Sequence, residues 1–329
     1  MSQMKIYPLE NSPLYQLCNK SKLEELLGLP KGYINSFTYS RENYYCWHQL
    51  KKNKIDTRPV EDPCGILKKA QSKLNKLLSR IYTTDYLMSG KKHSNYIKNA
   101  KYHQNNPYVF CFDLSAFFQT ATRHYVFSAF KNEFLMSEDV AWMLTDLVTI
   151  PNIENTDGYI PTGSPSSQNV IYWAYKKAFD TLFQVAESKK LKFSLYVDDM
   201  TFSSSRPISN KFPQLIQKLC SKVGLKINSK KTRYFSKNDF KDITGNIISP
   251  KKELKVPNRR RKEILDILAF KNIKDMNVKE IRSFYGKLCS MRQIEPNIFP
   301  ALYNEARSQY YKLGAQYNQS KQLMKGRRK

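Results

Sequence analysis

Phe193-Ser194-Leu195-Tyr196-Val197-Asp198-Asp199-Met200-Thr201-Phe202 is the stretch on which the reading of this chain turns. Two β-type apolar runs flank a short polar centre, which reads as a tight hairpin with two carboxylates at its tip. Adjacent acids in a turn repel one another. They make sense where a divalent cation is held, because hard cations such as Mg²⁺ take oxygen ligands. An ordinary Asp-Asp turn dipeptide is the plain alternative.

A third acid lies upstream. Tyr108-Val109-Phe110-Cys111-Phe112 is an apolar run ending in Asp113 and followed by Leu114-Ser115-Ala116-Phe117-Phe118. It reads as a buried strand delivering one carboxylate at its end, although an acid there can also cap a helix. Carboxylates brought from separate strands can clamp two cations ~4 Å apart, which is what two-metal phosphoryl transfer requires. Asp113, Asp198 and Asp199 are therefore the candidate metal ligands and catalytic acids of a polymerase-type site.

Composition narrows the partners. The 329 residues carry a formal charge of +27, which calls for a polyanion or an acidic protein, and salt-sensitive nucleic-acid binding follows from counterion release. The 22 Tyr and 18 Phe offer stacking platforms, although most belong in a core. Basic residues are spread along the chain, so a membrane-surface role is the weaker reading. No stretch approaches the ~20 apolar residues of a membrane span. The first residues, Met1 to Ile6, lack a signal-peptide core, and a cytoplasmic location is expected. The six cysteines form no Cys-x-x-Cys pair and read as reduced thiols.

Four segments together resemble the reverse transcriptases, and within them the bacterial retron type. Phe112 to Phe118 resembles the first catalytic motif. Ile160-Pro161-Thr162-Gly163-Ser164-Pro165-Ser166-Ser167 resembles the Pro-x-Gly-x-Pro-x-Ser motif, and Tyr196 to Asp199 the Tyr-x-Asp-Asp box. Gly224-Leu225-Lys226-Ile227-Asn228-Ser229-Lys230-Lys231-Thr232 resembles the segment that follows. Asn99-Ala100-Lys101-Tyr102-His103 matches the retron Asn-Ala-x-x-His signature, and Ile243-Thr244-Gly245 resembles Val-Thr-Gly. The resemblance covers roughly residues 50 to 300. Ala116 stands where many relatives carry an acid, Thr162 where Gln is usual, Gln168 where Pro is usual and Val197 where Ala is common.

The resemblance implies an α+β right-hand polymerase with fingers, an antiparallel palm and a helical thumb. The expected segments are an N-terminal helical cap (1–45), fingers (46–107), palm (108–250) and basic thumb (251–329). It further implies two Mg²⁺ ions and deoxynucleoside triphosphates as substrates. Its partners would be a cognate structured noncoding RNA, the DNA product that stays linked to it at a guanosine 2′-hydroxyl, and a co-encoded effector protein in anti-phage defence. Arg58 would meet the triphosphate, and guanidinium suits phosphate oxygens, although a solvated hairpin tip over 51–58 is the alternative. Phe118 would close the pocket beneath the sugar, with Phe117 competing for that role. Gly163 and Pro165 would support template and nucleotide. Lys231 would protonate or neutralise the leaving pyrophosphate, or else belong to a surface basic cluster. Asn99, His103, Arg259, Arg260 and Arg261 would face RNA, and His103 has no evident catalytic role. An abortive-infection type enzyme making untemplated DNA, a group II intron type enzyme and a non-catalytic RNA-binding scaffold stay open beside this reading.

Local patterns complete the picture. Ser21-Lys22-Leu23-Glu24 is a capping-box pattern, with Gly28 and Pro30 ending that helix. Leu67 to Leu78, Val170 to Phe183 and Phe212 to Val223 read as helices, and Leu225 to Asn228 as a short strand. Residues 251–329 hold 20 Lys plus Arg against 7 Asp plus Glu. Three helices are expected there, the first packing Ile264, Leu265, Ile267 and Leu268 inward.

Overall fold

In the computed structural model, the described residues are 6–34, 45–51, 57–150 and 158–326, with side chains described at these positions except 47, 48, 50, 51, 57–59 and 316–326. The expected fingertip segment 52–56, the Arg58 side chain and the tail 327–329 lie outside the described residues. The chain forms two compact units, one of Met1–Asn95 with Tyr108–Tyr234, the other of Tyr96–Pro107 with Phe235–Lys329. In the second unit Lys241–Ile243, Asn246–Ile248 and Leu254–Lys255 pair among themselves in a three-stranded sheet.

The elements run α1 (Lys20–Leu27), β1 (Tyr45–Lys51), β2 (Thr57–Pro63), α2 (Gly65–Leu78), α3 (Tyr96–His103), β3 (Tyr108–Ser115), α4 (Phe117–Thr120), α5 (Arg123–Ser128) and α6 (Glu138–Val148). They continue with α7 (Ser167–Ala174), α8 (Lys176–Ser188), β4 (Lys192–Tyr196), β5 (Asp199–Ser204), α9 (Phe212–Ser221), β6 (Lys226–Ile227) and β7 (Arg233–Phe235). Then come β8 (Lys241–Ile243), β9 (Asn246–Ile248), β10 (Leu254–Lys255), α10 (Asn258–Phe270), α11 (Val278–Arg292) and α12 (Pro300–Gly326). The mixture of helices with antiparallel sheets meets the α+β expectation.

In the first unit a five-stranded sheet has the order β4-β5-β3-β6, with β7 also pairing β3. β3 and β5 are antiparallel, and Val109 to Phe112 are all buried, as a strand covered on both faces should be. Aromatic contacts tie the strands together: Phe193 stacks on Phe202 at 4.7 Å, and Phe112 meets Phe202 edge-on at 5.8 Å. α2 buries Leu67, Ala70, Leu74 and Leu78, the stripe its periodicity anticipates.

Two local expectations are corrected. The cap of α1 is Asn19, whose side chain accepts from the Lys22 amide at 2.9 Å, so the Ser21 capping box is displaced by two residues. Gly28 does end the helix, in the left-handed region at φ 66°. The helix expected over 170–183 is two helices broken at Tyr175, whose hydroxyl donates to the Thr120 carbonyl at 2.7 Å while its ring stacks on Phe117.

In the second unit β8 and β9 form a hairpin with Thr244 and Gly245 at its turn, at φ 47° and 76°. Two successive positive φ values are what a tight two-residue hairpin demands, and glycine supplies the second without cost. Helix α3 seals this turn. The Tyr96 carbonyl accepts from the Thr244 hydroxyl at 3.1 Å and from the Asn246 amide at 3.0 Å, and Asn99 donates to Thr244 Oγ1 at 3.3 Å. The segments 99–103 and 243–245, far apart in sequence, are thus one packed junction. In α10 only Ile264 is buried, whereas Leu265 is 54% exposed, which corrects the expectation of four inward side chains. No helix among the described residues is long and apolar enough to cross a membrane.

Gly245→Val should destabilise this junction. A Cβ there would sit 3.3 Å from the Arg259 guanidinium on a backbone that β-branched residues avoid. A loss of about 1–3 kcal/mol in urea denaturation is expected; an unchanged midpoint would contradict the turn assignment.

Candidate active site

The site grows out of strand register. Asp113 on β3 lies directly opposite Asp199 on β5, and Tyr196 faces Asp199 across the β4–β5 hairpin. Asp198 occupies the turn between them, and its carbonyl accepts from the Leu114 amide at 3.0 Å. Acids from one hairpin arm, its turn and a neighbouring strand are therefore gathered at one sheet end. Val197 adopts φ 57° in the turn, a costly conformation for a β-branched residue. Its amide is held by Ser89 Oγ at 2.9 Å, a contact no sequence pattern announces.

The electrostatics bear the mark of this crowding. Burial, then the charges of Asp198 and Asp113, push the Asp199 carboxyl up to about 7, against the opposing pull of Arg233 and Lys231. Lys231 Nζ donates to Asp113 Oδ1 at 2.6 Å. The turn Asn228 to Thr232 brings it there, since the Asn228 amide bonds the Asp113 carbonyl at 2.8 Å. Among the described residues no three His, Cys, Asp or Glu side chains stand close enough to enclose an ion as they are arranged. The donor chemistry nonetheless suits one: three carboxylates, no sulfur or imidazole, and a repulsion that a hard divalent cation would relieve.

Elsewhere in the first unit the Thr162-Gly163-Ser164 loop is pinned to β2. Glu61, 2% exposed, accepts from the Thr162 amide at 3.1 Å, the Thr162 hydroxyl at 2.9 Å and the Tyr159 hydroxyl at 3.2 Å. The Tyr159 phenol is pushed up to about 12 by burial and by Glu61. The Gly163 amide donates to the Glu61 carbonyl at 3.2 Å, and a Cβ on Gly163 would fall 2.5 Å from that oxygen. Gly163 is thus required by the approach of β2, whatever else it touches. Gln71, on the otherwise apolar stripe of α2, ties Ser164 and the Leu147 carbonyl together. Pro165 lies in the turn leading into α7. Glu61 and Gln71 were missed by sequence reasoning because single polar residues about a hundred positions from their partners leave no periodic trace.

The other expected site residues sort by environment. Phe117 is locked among Tyr175 and Phe179, whereas Phe118, at 9% exposed, meets among the described rings only Phe117. Phe118 is therefore the aromatic less committed to the core. In the second unit Asn99 and His103 are fully buried. Neither exposes surface in this unit where the expectation has them face RNA; Asn99 donates to Thr244 Oγ1 at the α3 junction. Arg260 donates to Ser290 at 2.8 Å, and Arg261 binds the Val256 carbonyl at 3.1 Å and Glu295. Both are struts of their own unit. Arg259, with a side chain 68% exposed and Asp242 only at 4.0 Å, is the one of the three that points outward.

Residues 50–271 match the sequence profile of the family described as reverse transcriptase (RNA-dependent DNA polymerase). The chain belongs to the reverse transcriptase family. It is 31% identical to the retron Se72 reverse transcriptase of Salmonella heidelberg (strain 579083-10) over 217 residues, covering 64% of this chain and 55% of that protein. The retron Ec86 reverse transcriptase of Escherichia coli is 26% identical over 59% of each chain. The retron Ec83 reverse transcriptase of Escherichia coli is 23% identical over 74% of this chain and 81% of its own. The matches thus span little more than half the length of the first two relatives. The resemblance to the retron type, read from short motifs, agrees with all three.

Two outcomes test this geometry. An acid whose native pKa is raised keeps its proton in the folded state over a window where the unfolded chain, near 3.8, has lost it. Stability should therefore fall as pH rises from about 4 to about 7 in the absence of divalent cations. Asp199→Asn should remove that slope, and Mg²⁺ at pH 8 should raise the melting temperature of the wild type but not of the variant. Independently, Glu61→Gln should cost about 1–3 kcal/mol, because one buried donor is left unsatisfied. Gly163→Ala should cost at least as much through its backbone clash, both read by chemical denaturation.

Proposed function

We propose that the chain is the RNA-directed DNA polymerase of a retron, copying part of a cognate structured noncoding RNA into single-stranded DNA that stays joined to it. The observation that carries this reading is the register pairing of Asp113 with Asp199, with Asp198 in the adjoining turn and Lys231 on Asp113. Asp113, Asp198 and Asp199 would hold two Mg²⁺ ions, which when bound would supply the positive charge that activates the attacking hydroxyl and stabilises the leaving oxygen.

The chain's own residues account for the rest. A primer hydroxyl attacks the α-phosphate of a deoxynucleoside triphosphate, and pyrophosphate leaves. Lys231, 52% exposed at its side chain and able to swing from Asp113, neutralises or protonates the pyrophosphate. Phe118 would close the pocket beneath the sugar, where a ribose 2′-hydroxyl would clash, favouring deoxynucleotides. The loop of Gly163 and Pro165, held by Glu61, supports the templating base pair. Arg58 is proposed for the triphosphate, and Arg259 for RNA. The segments 1–45, 46–107, 108–250 and 251–329 serve as cap, fingers, palm and thumb. The retron reading brings with it a branch at a guanosine 2′-hydroxyl, a cytoplasmic setting, a co-encoded effector protein and a part in anti-phage defence.

The test is to purify the protein from cells carrying its native flanking DNA and sequence the bound nucleic acid after RNase and DNase treatment. A short defined DNA joined to one RNA, absent from the Asp198→Asn/Asp199→Asn variant, is expected. Bound RNA without DNA would favour a scaffold, and DNA matching no RNA would favour untemplated synthesis. In a primer-extension assay, Lys231→Ala should slow incorporation about 10²-fold or more, as loss of a general acid does. Phe118→Val should raise ribonucleotide incorporation without equal loss of deoxynucleotide use.

A further inference from the structure

A cavity lies in the first unit, at the other end of the hairpin that carries the Asp198 turn. β5 begins at Asp199 and ends at Ser204, where Ser203 pairs with Lys192 at the start of β4. At ~3.3 Å per residue, Ser204 is about 17 Å from the acids. The cavity holds about 610 Å³, within the range of small-ligand sites.

Its lining has a consistent chemistry. Lys189, Lys190, Arg206 and Lys211 surround it, all exposed, and no acid lines it. None of the four makes an ion pair among the described residues, although exposed lysines elsewhere in the unit, such as Lys22 and Lys68, do. Two hydroxyls add donors. Ser204 Oγ accepts from the Arg206 amide at 3.1 Å and Ser209 Oγ from the Lys211 amide at 3.3 Å. Each hydroxyl oxygen is thus already engaged as an acceptor, and its proton is left to donate outward. The floor is apolar, made by Leu191, Ile208 and Phe212.

We propose that this cavity binds one nucleotide unit of a single nucleic-acid strand, distinct from the catalytic site. Phosphate oxygens would take the unpaired cations and the serine protons, and the base would lie on the apolar floor. Uncompensated positive charge argues for an anion. A compact volume with an apolar floor argues for a nucleotide rather than an extended acidic peptide. The proposal rests on the reading of the chain as a nucleic-acid enzyme, and would give the strand a hold on the palm remote from the chemistry.

The experiment uses the full chain with a photocrosslinking amino acid at Ser205, an exposed lining position, purified with its bound nucleic acid. An adduct removed by RNase or by DNase is expected, and the two digestions separate RNA from DNA as the source. An adduct to protein alone would overturn the proposal. In parallel, Arg206→Glu/Lys211→Glu is compared with Lys218→Glu/Lys222→Glu, an equal change of charge outside the cavity. For a fluorescein-labelled single-stranded oligonucleotide, the cavity variant should bind at least tenfold more weakly, with a salt slope shallower by about 0.7 per lost phosphate contact. Equal losses in both double variants would overturn the cavity assignment and leave the polymerase reading standing. A wild-type chain that binds no oligonucleotide would overturn both.

Discussion

Everything at the candidate active site depends on one register. Because β3 runs antiparallel to β5 with Asp113 across from Asp199, two carboxylates are forced together at a partly buried sheet end. A slip of one residue would turn each acid to the opposite face and put Phe112 or Met200 in its place. The aromatic packing of Phe112, Phe193 and Phe202 is what forbids the slip, so the core's apolar burial is spent holding charges where they repel. The Asp199 carboxyl, raised to about 7, records that tension. Lys231 offsets part of it from one side, through its 2.6 Å contact with Asp113.

The second constraint is the pinning of the Thr162-Gly163-Ser164 loop by β2. A carboxylate buried without an ion pair among the described residues would be expensive unless its oxygens were hydrogen-bonded. Glu61 meets that condition with three donors, two of them from Thr162. Thr162, a departure from the residue usual in the family, is thus suited to this chain by a partner of its own.

Periodic and turn-forming patterns were legible in the sequence. The hairpin around Asp198, the stripe of α2 and the Gly28 stop are each encoded within a dozen residues, so local rules suffice. The resemblance of the motifs to reverse transcriptases located the acids and Lys231 without any geometry. What could not be read were long-range polar contacts: Glu61 with Thr162, Gln71 with Ser164, Ser89 with Val197. Each joins single residues with no repeating signature. The break at Tyr175 escaped because an apolar pattern continues through it. Arg260 and Arg261 read as surface charge because their partners, Ser290 and Glu295, lie on a later stretch of chain. Asn99 reads as a polar surface residue because its partner, Thr244, lies 145 positions away.

The most direct test of the central claim is extension of a DNA primer on a defined RNA template with Mg²⁺ and deoxynucleotides, comparing the wild type with Asp199→Asn. The geometry predicts a product complementary to the RNA from the wild type and none from the variant. Retained synthesis in the variant, or a product whose sequence ignores the template, would contradict it.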